Sequence, residues 1–167
     1  QAHINGWELH LADAEQVTFN PALWGHVAQS ATEVEALLQA ILARFEERFE
    51  LYREAFRQVR DLPAGEQHFV ESLPDYNRAA SRLGMLRLKP MLLIADEANN
   101  WLGSGRELDS LLHEFLRRNR KAGAGVALFG HTWHARQVPT PISTNLSTRL
   151  AFRCGPRTSR VVLGSDA

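Results

Sequence analysis

The chain has 167 residues, 44% of them hydrophobic, with 19 basic side chains against 19 acidic ones and a formal net charge of zero. Such a composition supports a packed core and excludes a disordered segment or a strongly basic nucleic-acid-binding module, so any contact with a polyanion must come from a local cluster of cations. Cys154 is the single cysteine, which rules out an intrachain disulfide and suits a reducing, cytoplasmic compartment, and no apolar run approaches the roughly 20 residues of a membrane span. The cations are nearly all arginine, with Lys89 and Lys121 the only lysines. The chain opens on Gln1 in a segment that reads as mid-domain, with no signal-peptide pattern, as expected for a fragment of something longer.

In chain order, Trp7-Glu8-Leu9-His10-Leu11-Ala12-Asp13 reads as a short strand, followed by a loop through Asn20-Pro21 and Gly25. A long amphipathic helix starts near Ser30 or Thr32. Val34, Leu37, Leu38, Ile41, Leu42, Phe45, Phe49 and Phe56 recur at three- and four-residue intervals, and Glu35, Arg44, Glu46, Glu47, Arg48, Glu50 and Glu54 take the polar face. The two prolines between Asp61 and Asn77 mark an irregular connection with a short helix near Tyr76 to Leu83. Met91-Leu92-Leu93-Ile94-Ala95 is a buried strand that closes on Asp96-Glu97.

Beyond it, Ser104 with Glu107 forms a capping box for a helix whose buried face is Leu108, Leu111, Leu112, Phe115 and Leu116. Arg117, Arg118, Arg120 and Lys121 fill its last turn, where cations complement the helix dipole, and Gly123 closes it. Val126 to Gly130 is a second buried strand, tipped by His131-Thr132, and Thr148 to Arg153 a third. Apolar strands alternating with helices predict an α/β domain with a mainly parallel sheet covered on both faces.

An apolar strand ending in Asp then Glu is the arrangement with which nucleotide-hydrolysing enzymes hold a hydrated magnesium ion and polarise an attacking water. Isolated, the pattern is common. Here it is followed by Arg120-Lys121-Ala122-Gly123, by the Leu128 strand with a polar tip, by Ile142-Ser143-Thr144-Asn145-Leu146-Ser147-Thr148-Arg149-Leu150-Ala151-Phe152-Arg153 and by Thr158-Ser159-Arg160-Val161-Val162-Leu163. That order resembles the motor domain of the FtsK/SpoIIIE family of DNA-pumping ATPases. The family carries an Asp-Glu Walker B strand, an Arg-Ala-Ala-Gly turn, a strand ending Ala-Thr-Gln, an Ile-x-x-Asn-x-x-Thr-Arg-x-Ala-Phe-Arg run and a Ser-Arg-x-x-Leu run. The resemblance is specific after residue 91 and loose before it, where Asp13 stands at the start of the family's Asp-Pro-Lys segment.

The resemblance implies a three-layer RecA-like P-loop NTPase fold over residues 1–167, incomplete because the phosphate-loop strand is missing. Its departures are informative. No Gly-x-x-x-x-Gly-Lys-Ser/Thr occurs, so this chain should not hydrolyse ATP unaided. Truncation accounts for that better than degeneration, because in the family the loop lies N-terminal to the segment where this chain starts. Ala14-Glu15 follow Asp13 in place of Pro-Lys, and His131 stands in place of the family's Gln, which points to a divergent, conjugation-type branch.

Carried over to this sequence, the resemblance implies ATP and Mg2+ as cofactors, Asp96 as the residue that holds Mg2+ through water, Glu97 as the group that activates the attacking water, and His131 as the sensor of the terminal phosphate. Arg149, Arg160 and Arg120 become candidates for contact with a neighbouring subunit's nucleotide, with surface ion pairs or helix capping as their structural alternative. The loops Gly103 to Arg106, including Ser104, and His134 to Gln137, including Arg136, become the DNA-facing elements. The implied partners are double-stranded DNA and further copies of the chain in a hexameric ring, and the whole protein could carry an anchor at the inner face of the cell membrane. Two readings compete with this DNA translocase. One is a non-catalytic interaction or DNA-tethering domain that kept the fold and lost the phosphate loop, against which the retained Asp96-Glu97 argues. The other is a packaging or pilus motor, from which the Thr148 to Arg153 run with Ser159-Arg160 separates it. His131 and His134 lack a third ligand at useful spacing for a metal site. No Gly-x-Ser-x-Gly elbow occurs either.

Overall fold

The computed structural model describes residues 3–4, 6–103, 106–131, 140–146 and 148. Strand β1 (His3–Ile4) pairs antiparallel with β2 (Trp7–Asp13), while β3 (Val27–Ala28), β4 (Met91–Asp96) and β5 (Ala124–Leu128) join β2 in a parallel sheet. The order is β1-β2-β4-β5, with β3 sharing the edge of β2 that β1 leaves free. Parallel strands need crossovers, and the chain supplies them as α2 (Ala31–Arg60) with α3 (Leu73–Leu83) between β3 and β4, and as α4 (Arg106–Ala122) between β4 and β5. Three short helices complete the described elements, α1 (Pro21–Trp24) after β2, a single 3-10 turn (Ala98–Asn100) after β4 and α5 (Thr140–Asn145) after β5.

Helix α2 is set by its start and its stripe. Ser30 is the N-cap, its hydroxyl accepting from the Glu33 amide at 3.2 Å, while the Glu33 carboxylate accepts from the Gln29 amide at 2.6 Å. The buried positions are Val34, Leu38, Ile41, Phe45, Arg48, Tyr52, Ala55 and Val59, a strict alternation of four- and three-residue steps. Leu37, Leu42, Phe49 and Phe56 flank this line half-buried. Arg48, expected on the polar face, thus occupies a core position, because the stripe runs through it one turn after Phe45.

At 30 residues and 1.5 Å of rise each, α2 is roughly 45 Å long, far more than the sheet beneath it can cover. Its first half packs with α4 on one sheet face, where Val34, Leu38, Ile41 and Phe45 meet Met91, Leu93, Ala95, Leu108, Leu112 and Phe115. Its second half runs beyond the sheet and builds a separate cluster with α3, in which Tyr52 and Tyr76 lie 5.3 Å apart between ring centres. The opposite sheet face carries Leu9, Leu11 and Val27 with Leu92, Ile94, Phe19 and Trp24. Helix α1 therefore brings Trp24 to that face.

Several boundaries differ from expectation. Helix α3 starts at Leu73, three residues early, because Pro74 falls in the first turn, where a missing amide costs nothing. Strand β5 starts at Ala124, since Gly123 at φ 72° ends α4 and turns directly into the ladder. The strand expected over 148–153 and the run 158–163 lie outside the described residues, apart from Thr148, and so does Ser104 of the expected capping box. At the start of α4 it is Asp109 that accepts from the Gly103 amide, at 3.0 Å. Among the described residues no helix is long and apolar enough to cross a membrane.

Candidate functional site

In a parallel sheet the C-terminal strand ends form one rim, and the side chains there point alternately to the two faces. Asp13 and Asp96 are register partners on neighbouring strands, so both project from the same rim to the same face. Asp13 is fully buried, and its carboxylate accepts from the amides of Glu15, Gln16, Thr18 and Phe19 at 3.2, 2.9, 2.7 and 2.9 Å. Burial alone would raise its pKa, but the four amide donors together outweigh that and hold it below the ordinary value of 3.8. The loop after β2 is folded around this one anion. It carries Thr18 to the rim, where the hydroxyl donates to Oδ2 of Asp96.

Glu97 is the first residue past β4 and adopts φ 49°, ψ 40°, a left-handed conformation that costs a residue with a Cβ roughly 1 kcal/mol or more. The flanking backbone enforces it. Phe129 donates its amide to the Ala95 carbonyl at 2.8 Å and accepts at its own carbonyl from the Ala98 amide at 2.8 Å, so the ladder between β4 and the extension of β5 closes around Glu97. The residue is 7% exposed. Oε1 of Glu97 lies 3.0 Å from Nε2 of His131, which the same extension of β5 delivers from the solvent side.

The rim thus brings Asp96, Glu97 and His131 together with Thr18 and Asp13. Asp13 was assigned only as the start of a family segment, and Thr18 had no assigned role. An Asp at a strand end with Thr five residues on is a signal, but only the folded loop shows which carboxylate the hydroxyl meets. Chemically, Asp96 keeps one carboxylate oxygen clear of the Thr18 bond, and Glu97 sets a buried carboxylate beside it. Among the described residues no group of three or more His, Cys, Asp or Glu side chains could cage a metal. Mg2+ needs no such cage, since it keeps several waters and binds through one or two carboxylates together with substrate phosphates. Asp96 fits that mode.

Two of the other assigned residues, Arg120 and Arg106, lie among the described residues. Arg120 is exposed in the last turn of α4, beside the Gly123 carbonyl that accepts from the Met91 amide at 3.0 Å, at the opposite end of the sheet. Arg106 is the first residue of α4. Ser104, His134, Arg136, Arg149 and Arg160 lie outside the described residues. Of the remaining last-turn cations, Arg117 pairs with Glu114 at 2.8 Å, and Arg118 bonds Glu46 at 2.5 Å while covering the Phe49 ring at 5.1 Å.

That opposite end holds a buried polar knot that sequence reasoning missed. Arg48, 4% exposed, donates to the carbonyls of Ala122 at 2.7 Å and Lys89 at 2.6 Å and lies 3.8 Å from Glu8. Glu8 is also 3.3 Å from Arg44 and 3.5 Å from His10. Desolvation lowers the His10 pKa most, Glu8 opposes this, and Arg44 and Arg48 add to the lowering. One guanidinium therefore ties the end of α4 to the entry of β4.

No protein-family model and no curated protein matches the sequence. Solved structures do share its architecture. The pCW3 conjugation coupling protein TcpA, in a monomer form with ATPγS, superposes with a TM-score of 0.70 at 17% identity, over 95% of this chain and 44% of that one. The cytoplasmic domain of the type VII secretion ATPase EccC of Thermomonospora curvata gives 0.58 at 20% identity, over 95% and 18%. ATPases 2 and 3 of EssC from Geobacillus thermodenitrificans give 0.59 at 13% identity, over 92% and 30%. The chain therefore spans less than half the length of each of these proteins. Its fold is the RecA-like fold of P-loop ATPase domains, which it shares with these proteins.

Proposed function

We propose that residues 1–167 are the later part of a RecA-like ATPase motor domain, and that the whole protein is an FtsK/SpoIIIE-type translocase driving double-stranded DNA through a hexameric ring. The observation that carries this reading is the rim at Asp96 and Glu97: a hydrogen-bonded Asp followed by a buried Glu in a left-handed conformation, on a fold shared with ATPases. In this reading Asp96 holds Mg2+ through water and Glu97 accepts the proton of the attacking water. His131 holds the Glu97 carboxylate and senses the terminal phosphate. ATP reaches the rim with a phosphate loop that this chain does not contain, and Arg149, Arg160 and Arg120 are the candidates for reaching a neighbour's nucleotide. Ser104, Arg106, His134 and Arg136 would face the DNA, where a ring multiplies each cation sixfold.

The test is ATP hydrolysis by the protein encoded by the complete reading frame, with and without duplex DNA. Duplex should stimulate turnover, and Glu97→Gln should lower kcat by 100-fold or more while ATPγS still binds. A Glu97→Gln protein that keeps its rate, or a wild type indifferent to duplex, overturns the reading.

A further inference from the structure

Outside the rim, one surface feature combines shape with loosely compensated positive charge. After α3, Gly84 turns the chain back at φ 68°, and residues 85–88 run along the helix they have just left. Three bonds hold them there. Tyr76 donates its hydroxyl to the Leu86 carbonyl at 3.0 Å, and Asn77 clamps Leu88 from both sides, donating to its carbonyl at 2.9 Å and accepting from its amide at 2.8 Å. The result is an open groove of about 480 Å³ lined by Pro74, Asn77, Arg78, Ser81, Arg82 and Arg87. Arg78 and Arg82 lie one helical turn apart, and Arg87 faces them from the returning segment.

These cations are poorly matched by the protein itself. Arg78 reaches Asp75 only at 4.0 Å, Arg82 reaches the Glu66 carboxylate at 3.7 Å while donating to its carbonyl at 3.3 Å, and Arg87 makes no ion pair among the described residues. Arg57 and Arg117, on α2 and α4, hold their acids at 3.0 and 2.8 Å, and Arg53 bonds Glu50. A row of guanidiniums along an open groove suits a chain of anions better than one small ion, because each phosphate then meets its own cation. The groove opens beside Leu88, which leads into the start of β4, whereas Asp96 and Glu97 lie at the end of that strand.

We propose that this groove is a nucleic-acid-binding site that takes the phosphodiester backbone along Arg78, Arg82 and Arg87, none of which is among the residues assigned to the DNA-facing loops. It stands on the groove alone and needs no ATP hydrolysis. The 167-residue chain is titrated by fluorescence anisotropy against a labelled 20-base-pair duplex, and against one strand of it, between 50 and 200 mM salt. R78Q/R82Q/R87Q should weaken binding at least 10-fold at low salt and cut the slope of log K against log salt by about 2 to 3. R53Q/R57Q/R117Q, which removes the same charge, should stay within 2-fold. R87E alone, which breaks no ion pair among the described residues, should cost at least 5-fold with an unchanged unfolding midpoint. Preference for the single strand, lost in the groove variant, supports the same site with single-stranded nucleic acid as its source. Absence of binding at 50 mM salt, equal losses in both triple variants, or competition by inorganic phosphate at the duplex's own affinity overturns it.

Discussion

The hydroxyl of Thr18 donates to the carboxylate of Asp96 across 78 residues of sequence, tying the loop after β2 to the end of β4. The bond exists because Asp13, the register partner of Asp96, gathers four amides of that loop around its own charge. One anion thereby organises the segment that orients another.

Thr18→Val keeps the shape and removes the donor. In the complete protein it should raise the Mg2+ concentration for half-maximal hydrolysis about 5-fold with a smaller change in kcat, and Thr18→Ser should restore it. The stability cost should be only about 1 kcal/mol, because the bond is solvent-exposed. Unchanged Mg2+ dependence in the valine variant would show that the bond does not orient Asp96.

Asp13→Asn leaves one good acceptor where two oxygens served four amides, and should lower unfolding stability by about 2 kcal/mol. The folded pKa lies below the ordinary 3.8, so the carboxylate stabilises the fold fully above that value and loses its contribution as pH falls through it toward the depressed folded pKa. Urea unfolding between pH 7 and 2.5 should therefore show the wild type and Asp13→Asn converging on acidification. A constant gap would exclude the charge as the cause.

Glu97→Gly should stabilise the isolated chain by about 1 kcal/mol while abolishing hydrolysis in the complete protein, because glycine meets φ 49° without strain. Paired thermal melts and ATPase assays decide it. A destabilised glycine variant would mean that the contact with His131 outweighs the backbone cost.

Arg48→Met fits the stripe of α2 but strips the Lys89 carbonyl of its guanidinium, leaves the Ala122 carbonyl with the longer 3.5 Å bond from the Tyr52 hydroxyl, and removes a cation from buried Glu8. A loss of about 3 kcal/mol is expected in chemical denaturation. Arg48→Lys should recover less than half of it, since one ammonium cannot span two carbonyls as a planar fork does. Parity between methionine and wild type would make the knot dispensable.

Strands β2, β4 and β5 and the two long helices were legible because each is a local pattern, whereas β1 and β3, two residues each, carry too little pattern to read. Trp7 to Asp13 and Met91 to Ala95 announce strands by their own residues, and the interval from Val34 to Phe45 announces a helix face. Arg48 was misread for the same reason. Local polarity placed it outside, whereas its place in the stripe, and the carbonyls that only a folded α4 and β4 present, put it inside. The helix over Thr140–Asn145 was likewise unforeseen, since its anchor, Ile142, is a single residue buried against the α4 side of the core.

What the sequence by itself determined is the type of chain: an α/β architecture, an acidic pair at a strand end and a run of motifs resembling one family of motors. Which groups meet was decided by tertiary structure alone. Thr18 with Asp96, His131 with Glu97, and Arg48 with Ala122 and Lys89 each join segments that no periodicity links. Register between parallel strands and the direction in which each loop leaves the rim are properties of the assembled sheet. Hydrogen bonds a few ångströms long can select partners only once that assembly has brought them within reach.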